Sequence, residues 1–557
     1  LVSQTHTPCA QVALGSPEAL AGADAALAGA ARTGTWVLLK NAHLAPAWLA
    51  QLPTRLEALA PHADMRAFVT CELSPSVPAA FVRAARVVMH EPPAGLRAAL
   101  LDALHAARTR VAPAGPPERE RVYFLVALLH ALVLERTRHA PLGWSHAYDF
   151  YDTDLEAALA LVDTCVADAA RGRPHLAPEH VPWAALRTLL AQTVYGGKMD
   201  SATDRRMLDA LVDQLLTAAA CEPDHPLVPD AQAPLLAPDG VRLADFVAWA
   251  DALPEPQPPH WLLLAPAAER ATAAARGSAV LARLAELRIL SERDESLGDL
   301  GSAAEAHEPP EVGTLLAHCL DMVPRVADHH VAKEPMADDA LARFWARERR
   351  VAADVAARVR ADLEHAAAVA AHTTPRTNEA AVILADIARG AVPGAWRLFA
   401  SAATELHTWL TDMQQRVAQA TSDAPTVSLG ALFHPAAFLT ATRQAAARAR
   451  RTSLEQLRVE LRLGAAPAAP GEYALGPLWI DGATWNGALS LNDGAATCVS
   501  QSALVWTDAP PAGVPHVALP VFVHGNRQQQ LFTAQVPTER GFSTPLAVLR
   551  AVALRAS

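Results

Sequence analysis

Lysine is almost missing from this chain: only Lys40, Lys198 and Lys333 stand among its 47 basic residues. Alanine is abundant throughout, so a biased coding composition explains the shortage, and periodicity rather than intrinsic propensity has to carry the reading of secondary structure. Paired cysteines are missing too. The six that occur, Cys9, Cys71, Cys165, Cys221, Cys319 and Cys498, lie far apart, which argues against a zinc site and a disulfide framework and fits a reducing compartment. There is no long hydrophobic run. The densest, Val122 to Leu134, is interrupted by His130 and falls well short of the roughly 20 residues of a spanning helix. Neither sign of charge forms a long block. The 58 acids and 47 bases give a formal charge of −11, and nothing in that balance points to nucleic acid or an acidic membrane. Three catalytic motifs are absent as well: a phosphate loop G-x-x-x-x-G-K-[ST], a G-x-S-x-G elbow and an H-E-x-x-H helix. The nearest approach to a phosphate loop, Gly196-Gly197-Lys198-Met199, lacks the distant glycine and the hydroxyl ligand and reads as a tight turn.

At 557 residues the chain is too long for one core and implies three or four compact units. It starts at Leu1 without a charged-then-apolar leader, so it reads as a fragment or processed piece. Its organising stretch is Gly34 to Leu44, an apolar run that ends abruptly in polar residues. Four apolar residues in a row, after Thr33-Gly34 and before Pro46, suit a strand covered on both faces in a parallel sheet. Functional positions in such sheets lie just beyond the carboxyl end of a strand. A P-loop nucleotide hydrolase would hold Mg²⁺ there with an acid, whereas Lys40 and Asn41 stand there in this sequence. A lysine has the wrong charge and an amide is a weak Mg²⁺ ligand.

Around it, residues 1–90 alternate strand and helix: Gln11 to Leu14 extended, then Ser16 to Ala31 helical with Ser16 as N-cap and Pro17 in the first turn. After the central strand come an amphipathic Pro46 to Leu59, a second strand over Met65 to Glu72, and a third over Arg86 to Met89. From Gly95 to about Thr217 the pattern is helical, with segments at Ala98 to His105, Glu118 to Arg138, Asp154 to Ala169 and Trp183 to Thr193. The stretch Val122 to Leu134 is apolar on all sides and belongs at the centre of a bundle. Ten of the 43 prolines fall between Pro223 and Pro266, marking a junction around a short helix, Leu243 to Ala252. Polar Ser291 to Glu311 reads as a flexible loop. Beyond it a long helix carries Leu341, Phe344, Val351, Val355, Val359 and Leu363 on one face, and Arg358 and Asp362 are spaced to pair on the other. The last 130 residues carry hairpin signals at Pro477 to Gly482, Trp485 to Leu489, and His516 to Val536, implying a small closed or nearly closed β-barrel.

Few residues stand out as sites. Thr70 and Glu72 end the second strand, where a nucleotide fold would sense a γ-phosphate, although without a phosphate loop ordinary strand-end polarity is the better reading. Arg83 and Arg86 follow a helix at Pro78 to Ala85, from which an arginine could reach a neighbouring module's phosphate in trans; interface or surface arginines are the plainer reading. His43, His130 and His139 have no partner at metal spacing. Trp144 and Trp183 read as bundle anchors.

Longer stretches carry a resemblance. Trp36-Val37-Leu38-Leu39-Lys40-Asn41-Ala42-His43-Leu44-Ala45-Pro46, Glu91-Pro92-Pro93-Ala94-Gly95-Leu96, Arg121 through Glu135-Arg136 to Ala140-Pro141-Leu142-Gly143-Trp144-Ser145, and Val181-Pro182-Trp183-Ala184-Ala185-Leu186 leading to Tyr195-Gly196-Gly197 closely resemble the C-terminal end of cytoplasmic dynein heavy chains. So do Gly430-Ala431-Leu432-Phe433-His434-Pro435, Thr440-Ala441-Thr442-Arg443-Gln444 and Asp481-Gly482-Ala483-Thr484-Trp485-Asn486; the last two are similar to the cytoplasmic rather than the axonemal branch. The match is poor over Ser291 to Glu311 and after Ala534.

The resemblance implies a partial AAA+ α/β subdomain at 1–92 from the latter part of the sixth module, a helical AAA+ lid at 93–220, the helical part of the dynein C-terminal domain at 221–424, and its β-barrel part at 425–557. The fold class is thus α/β, then mostly α, then small all-β. The family's sixth module does not hydrolyse nucleotide, so Lys40, Asn41 and Thr70 are expected at a degenerate nucleotide site, Arg83 and Arg86 as possible trans arginines, and no catalytic residue, metal or cofactor in this segment. ATP and Mg²⁺ would belong to upstream modules. Implied partners are the other AAA+ modules of the same heavy chain, microtubules through a stalk, and a second heavy chain with intermediate, light intermediate and light chains through a tail, all outside these residues; nucleic acid and membrane are not expected. The implied role is to close and brace the ring of a minus-end-directed, cytoplasmic, microtubule-associated motor and to regulate it. The alternative is a free-standing, non-catalytic scaffold that reuses the fold.

Overall fold

A computed structural model of the protein describes residues 7–72, 74, 76–89, 91, 93–109, 116–228, 234–255, 257–298, 310–325, 339–399, 405–422, 425–492, 494–508 and 515–556. They form two compact units, Leu1–Pro92 and Pro93–Ser557.

In the first unit, β1 (Cys9–Ala13), β2 (Trp36–Lys40) and β3 (Arg66–Val69) make a parallel sheet in that order, interleaved with α1 (Pro17–Thr33) and α2 (Pro46–Ala58) and followed by the short α3 (Ala79–Ala84). Ser16 caps α1 as expected, its extended backbone letting the hydroxyl accept from Ala19 N at 3.4 Å. Gly34 ends α1 at φ 73°, the left-handed turn that redirects the backbone into β2. Val37 and Leu39 are buried in one cluster with Leu27 and Ala30 of α1 and Trp48, Leu49 and Leu52 of α2.

Three expectations change here. Cover on both faces of β2 is not found: Trp36 and Leu38 are half-buried and Phe68 is 39% exposed, because both helices contribute to the single cluster around Val37 and Leu39. Trp36 and Phe68 shield one another edge to face, with centroids 5.4 Å apart. The second strand contracts to Arg66–Val69. Arg86 to Met89 is not a strand, and Val87, Val88 and Met89 are 56%, 83% and 58% exposed. An apolar run becomes a strand only where an edge is free to pair with it, and among the described residues none pairs with this one.

The second unit begins with α4 (Leu96–Arg108), α5 (Glu118–Thr137), α6 (Asp152–Ala170), α7 (Trp183–Leu189) and α8 (Ala202–Leu215). Every residue of α5 from Arg121 to Val133 is buried, as its apolar circumference requires. The same core continues past residue 220 through the β4 (Pro226–Val228) and β5 (Leu235–Leu236) hairpin, α9 (Leu243–Asp251) and on to Ala268. α10 (Ala267–Gly298) runs through Ser291 to Gly298, correcting the expected loop there: no glycine or proline interrupts 278–297. The rest of that expected loop, 299–309, lies outside the described residues, and α11 (Pro310–Met322) follows.

A second core joins α11 to α12 (Ala340–Ala370), α13 (Asn378–Ala388) and α14 (Leu406–Thr421) through Val355, Val359, Leu363, Trp396 and Trp409. Asp362 does not pair with Arg358 among the described residues; it accepts from the Trp396 indole at 2.9 Å, and the i,i+4 pair on α12 is Arg360–Glu364 at 3.9 Å. α15 (Pro435–Arg450) then leads into a mixed sheet built by β6 (Thr426–Val427), β7 (Arg458–Leu463), β8 (Tyr473–Leu475), β9 (Leu478–Asp481), β12 (Thr497–Val499), β13 (Ser502–Thr507), β14 (His516–Phe522), β15 (Gln530–Pro537) and β16 (Ala553–Arg555), with α16 (Thr544–Leu549) before its last strand. The expected β14–β15 hairpin forms, as does a small one from β10 (Ala483–Trp485) and β11 (Leu489–Leu491). The sheet order is β12-β9-β16-β14-β15-β7-β13-β8-β6. Among the described residues its two end strands do not pair with each other, so the ladder is open rather than a closed barrel.

His130 sits inside the first helical core, its Nδ1 3.1 Å from the Tyr195 hydroxyl. Burial pushes its pKa down to about 4, against the opposing pull of Asp154 and Asp152. A depressed histidine stabilises the fold above its unfolded pKa, and that contribution is lost as pH falls from about 6.5 towards 4. Urea midpoints should therefore record a loss on the order of 2 kcal/mol from this residue between pH 7 and 5. In His130→Leu that part of the pH slope should vanish, whatever the variant's absolute stability.

Candidate functional site

The carboxyl edge of the three-stranded sheet gathers most of the residues singled out in the sequence. Lys40, the last residue of β2, lies exposed with its Nζ donating to Gln11 Oε1 of β1 at 2.9 Å. Asn41 takes a left-handed backbone at φ 58°, a conformation asparagine tolerates better than most residues. Its N–H donates to Thr70 Oγ1 at 3.3 Å, while Ala42 N donates to the Thr70 carbonyl at 3.0 Å. Thr70 N in turn donates to Leu39 O at 2.9 Å. The two strand ends are thereby stitched together. His43, half-buried, accepts from Glu72 N through Nδ1 at 3.2 Å, and its Nε2 lies 3.7 Å from Glu72 Oε2. Arg83 lies on α3 and Arg86 just beyond it, both exposed. Among the described residues no hydrogen bond or ion pair joins either guanidinium to the strand-end group.

Mg²⁺ is held by one or two carboxylates in a near-octahedral oxygen shell. Here the end of β2 offers an ammonium engaged with Gln11 and an amide whose backbone is tied to Thr70. The acid beside His43, Glu72, is 83% exposed on its side chain and turned to that imidazole. These residues do not fit a nucleotide-bound Mg²⁺. Among the described residues no group of three or more histidine, cysteine or acidic side chains could hold a metal.

The polar residues that the sequence did not single out are buried in the second unit. Arg136 is fully buried and donates to the carbonyls of Gly143 (3.2 Å), Leu262 (2.7 Å) and Leu549 (3.0 Å), with its guanidinium 5.2 Å from the Trp144 ring centroid. Burial pulls its pKa down to about 9, with Asp204 opposing the shift, so it stays charged at neutral pH. Asp204, fully buried, accepts from Ser145 N, Ser145 Oγ, His146 N and the Tyr148 hydroxyl at 2.7–3.3 Å. Glu120 caps the start of α9 by accepting from Leu243 N at 2.7 Å. Glu348 does the same for the entry to α15, accepting from Phe433 N and His434 N. Gly196 to Lys198 is a short 3-10 turn rather than a phosphate cradle, and the Lys198 Nζ is held by Asp154 at 2.6 Å. Trp144 and Trp183 anchor the bundle by donating to the carbonyls of Val133 and Pro178.

Three family models match in succession, all describing dynein heavy chains: the region D6 P-loop domain over residues 2–89, the AAA lid domain over 119–268, and the C-terminal domain over 276–556. Among curated proteins, the sequence is 37% identical to a cytoplasmic dynein heavy chain of Caenorhabditis elegans over 83% of its length. It is 32% identical to those of Drosophila melanogaster and Dictyostelium discoideum over 100% and 98% of its length. It spans only 10%, 13% and 12% of those three relatives.

Proposed function

Since the protein belongs to the dynein heavy chain family and carries that family's D6, lid and C-terminal regions in order, we propose that its task is architectural: it closes and braces a ring of AAA+ modules and regulates the motor without hydrolysing ATP itself. The observation that carries this reading is the chemistry at the end of β2, where Lys40 and Asn41 stand in place of the acids that Mg²⁺ requires. With that chemistry gone, a rigid α/β wedge and a densely packed helical lid can still pass movement between neighbouring modules.

In this reading Lys40, Asn41 and Thr70 are capping and interface residues, and Arg83 and Arg86 are the groups that could reach a neighbour's phosphate. The C-terminal domain divides into a helical part and an open mixed sheet near residue 425. Nucleotide hydrolysis, microtubule binding and the accessory chains belong to other parts of a minus-end-directed motor in the cytoplasm.

The test is calorimetry and phosphate release on the 557-residue protein with MgATP. We expect binding no tighter than millimolar and no turnover. Micromolar binding would overturn the reading, and Mg²⁺-dependent turnover that is lost in Arg83→Ala would replace it with an ATPase completed in trans.

A further inference from the structure

The last of the described residues do not belong to one core. Ala547 is buried in the cluster of the C-terminal sheet, Leu549 and Ala551 in the cluster of the helical region 96–268, and Val552 and Leu554 in the sheet cluster again. The segment crosses from one core to the other and back within eight residues. The crossing is held by two buried arginines, one from each side. Arg136 of α5 donates to the Leu549 carbonyl at 3.0 Å. Arg527, from the turn after β14, donates to the Ala551 carbonyl at 2.6 Å and to Asp481 at 3.2 Å. Ala551 itself has φ 55°, so the backbone reverses between the two clamped carbonyls. Thr203 of α8 adds a rim contact, its hydroxyl donating to Gln530 Oε1 of β15 at 2.8 Å.

A charge as deeply buried as Arg136 is costly unless its donors are used. Two of its three carbonyl partners, Gly143 and Leu262, lie within the helical region, and the third comes from a residue far along the sequence. A side chain serving only the helical region would not need that third partner.

We propose that residues 544–556 act as a clasp that makes the helical region 96–268 and the C-terminal sheet a single mechanical body, with Arg136 as its positioning residue. A displacement of the helical region is then transmitted to the sheet through this segment. The inference concerns this protein alone and stands whether or not it completes a ring.

Hydrogen exchange on the 557-residue protein tests it. In Arg136→Met, amides of 516–522 and 553–555 in the sheet should exchange at least tenfold faster, along with those of 202–215, while those of 378–388 keep their rates. Acceleration confined to 93–268 would overturn the proposal and leave Arg136 as a core residue of the helical region only. Leu549→Ala, which keeps both arginines, should give the same pattern on both sides. If Arg136→Met does not fold, Leu549→Ala alone decides: faster exchange on one side only refutes the clasp.

Discussion

Gly196→Ala is expected to destabilise the helical region by at least about 3 kcal/mol. A methyl placed there would lie 1.7 Å from the Ala191 carbonyl oxygen and 2.9 Å from its carbon. Both are backbone atoms inside the π-helical turn Leu190–Val194, which the Tyr195 N–H closes onto the Leu190 carbonyl at 3.1 Å. No rotamer change relieves such a clash, so the turn has to open. The neighbouring Gly197 is the control: its added methyl would come no nearer than 3.8 Å to the Gln192 carbonyl, and Gly197→Ala should shift the urea midpoint by less than about 1 kcal/mol. Equal effects at the two positions would contradict this account of the turn.

Asp204→Ala should cost on the order of 4 kcal/mol by urea denaturation, since each buried donor left without a partner costs roughly 1–3 kcal/mol. The carboxylate is the shared acceptor for two backbone N–H groups and two hydroxyls of the Ser145 to Tyr148 loop. The variant also removes the acid that partly offsets the buried Arg136. Asp204→Asn keeps the shape and one acceptor oxygen and should recover part of the loss. A neutral Asp204→Ala would mean that water replaces the carboxylate without penalty.

How legible such features are in the sequence depends on how local their causes are. The cap at Ser16, the stop at Gly34 and the buried circumference of α5 follow from residues within a turn or two, and all can be read directly. The strand ends at Lys40 and Thr70 are readable as positions. Their actual partners are not, because Gln11 and Leu39 meet them only through parallel pairing. Arg86 to Met89 carries a strand's composition, but pairing requires a second edge that composition cannot supply. The helix through Ser291 to Gly298 is hidden by its polarity, although nothing in it breaks a helix. Arg136 and Asp204 leave no local signal, since the Arg136 partner Leu549 is 413 residues away in sequence. The turns at Gly143 and Gly196 stand out as motifs, while their cause, close approach of backbone, is visible only in the fold.

The shared core of the helical region also bears on how the protein is made. Synthesis runs at about 5–20 residues per second, so Leu549 and Ala551 emerge from the ribosome roughly tens of seconds after Ala268. Until they arrive, the core around α5 lacks two of its buried residues and Arg136 lacks one of its acceptors. The helical region can collapse early, but it reaches its final packing only when the segment around Leu549 and Ala551 returns to it. Its folding is therefore a late, long-range event, and premature termination anywhere in the C-terminal sheet would leave an otherwise intact bundle with an open seam.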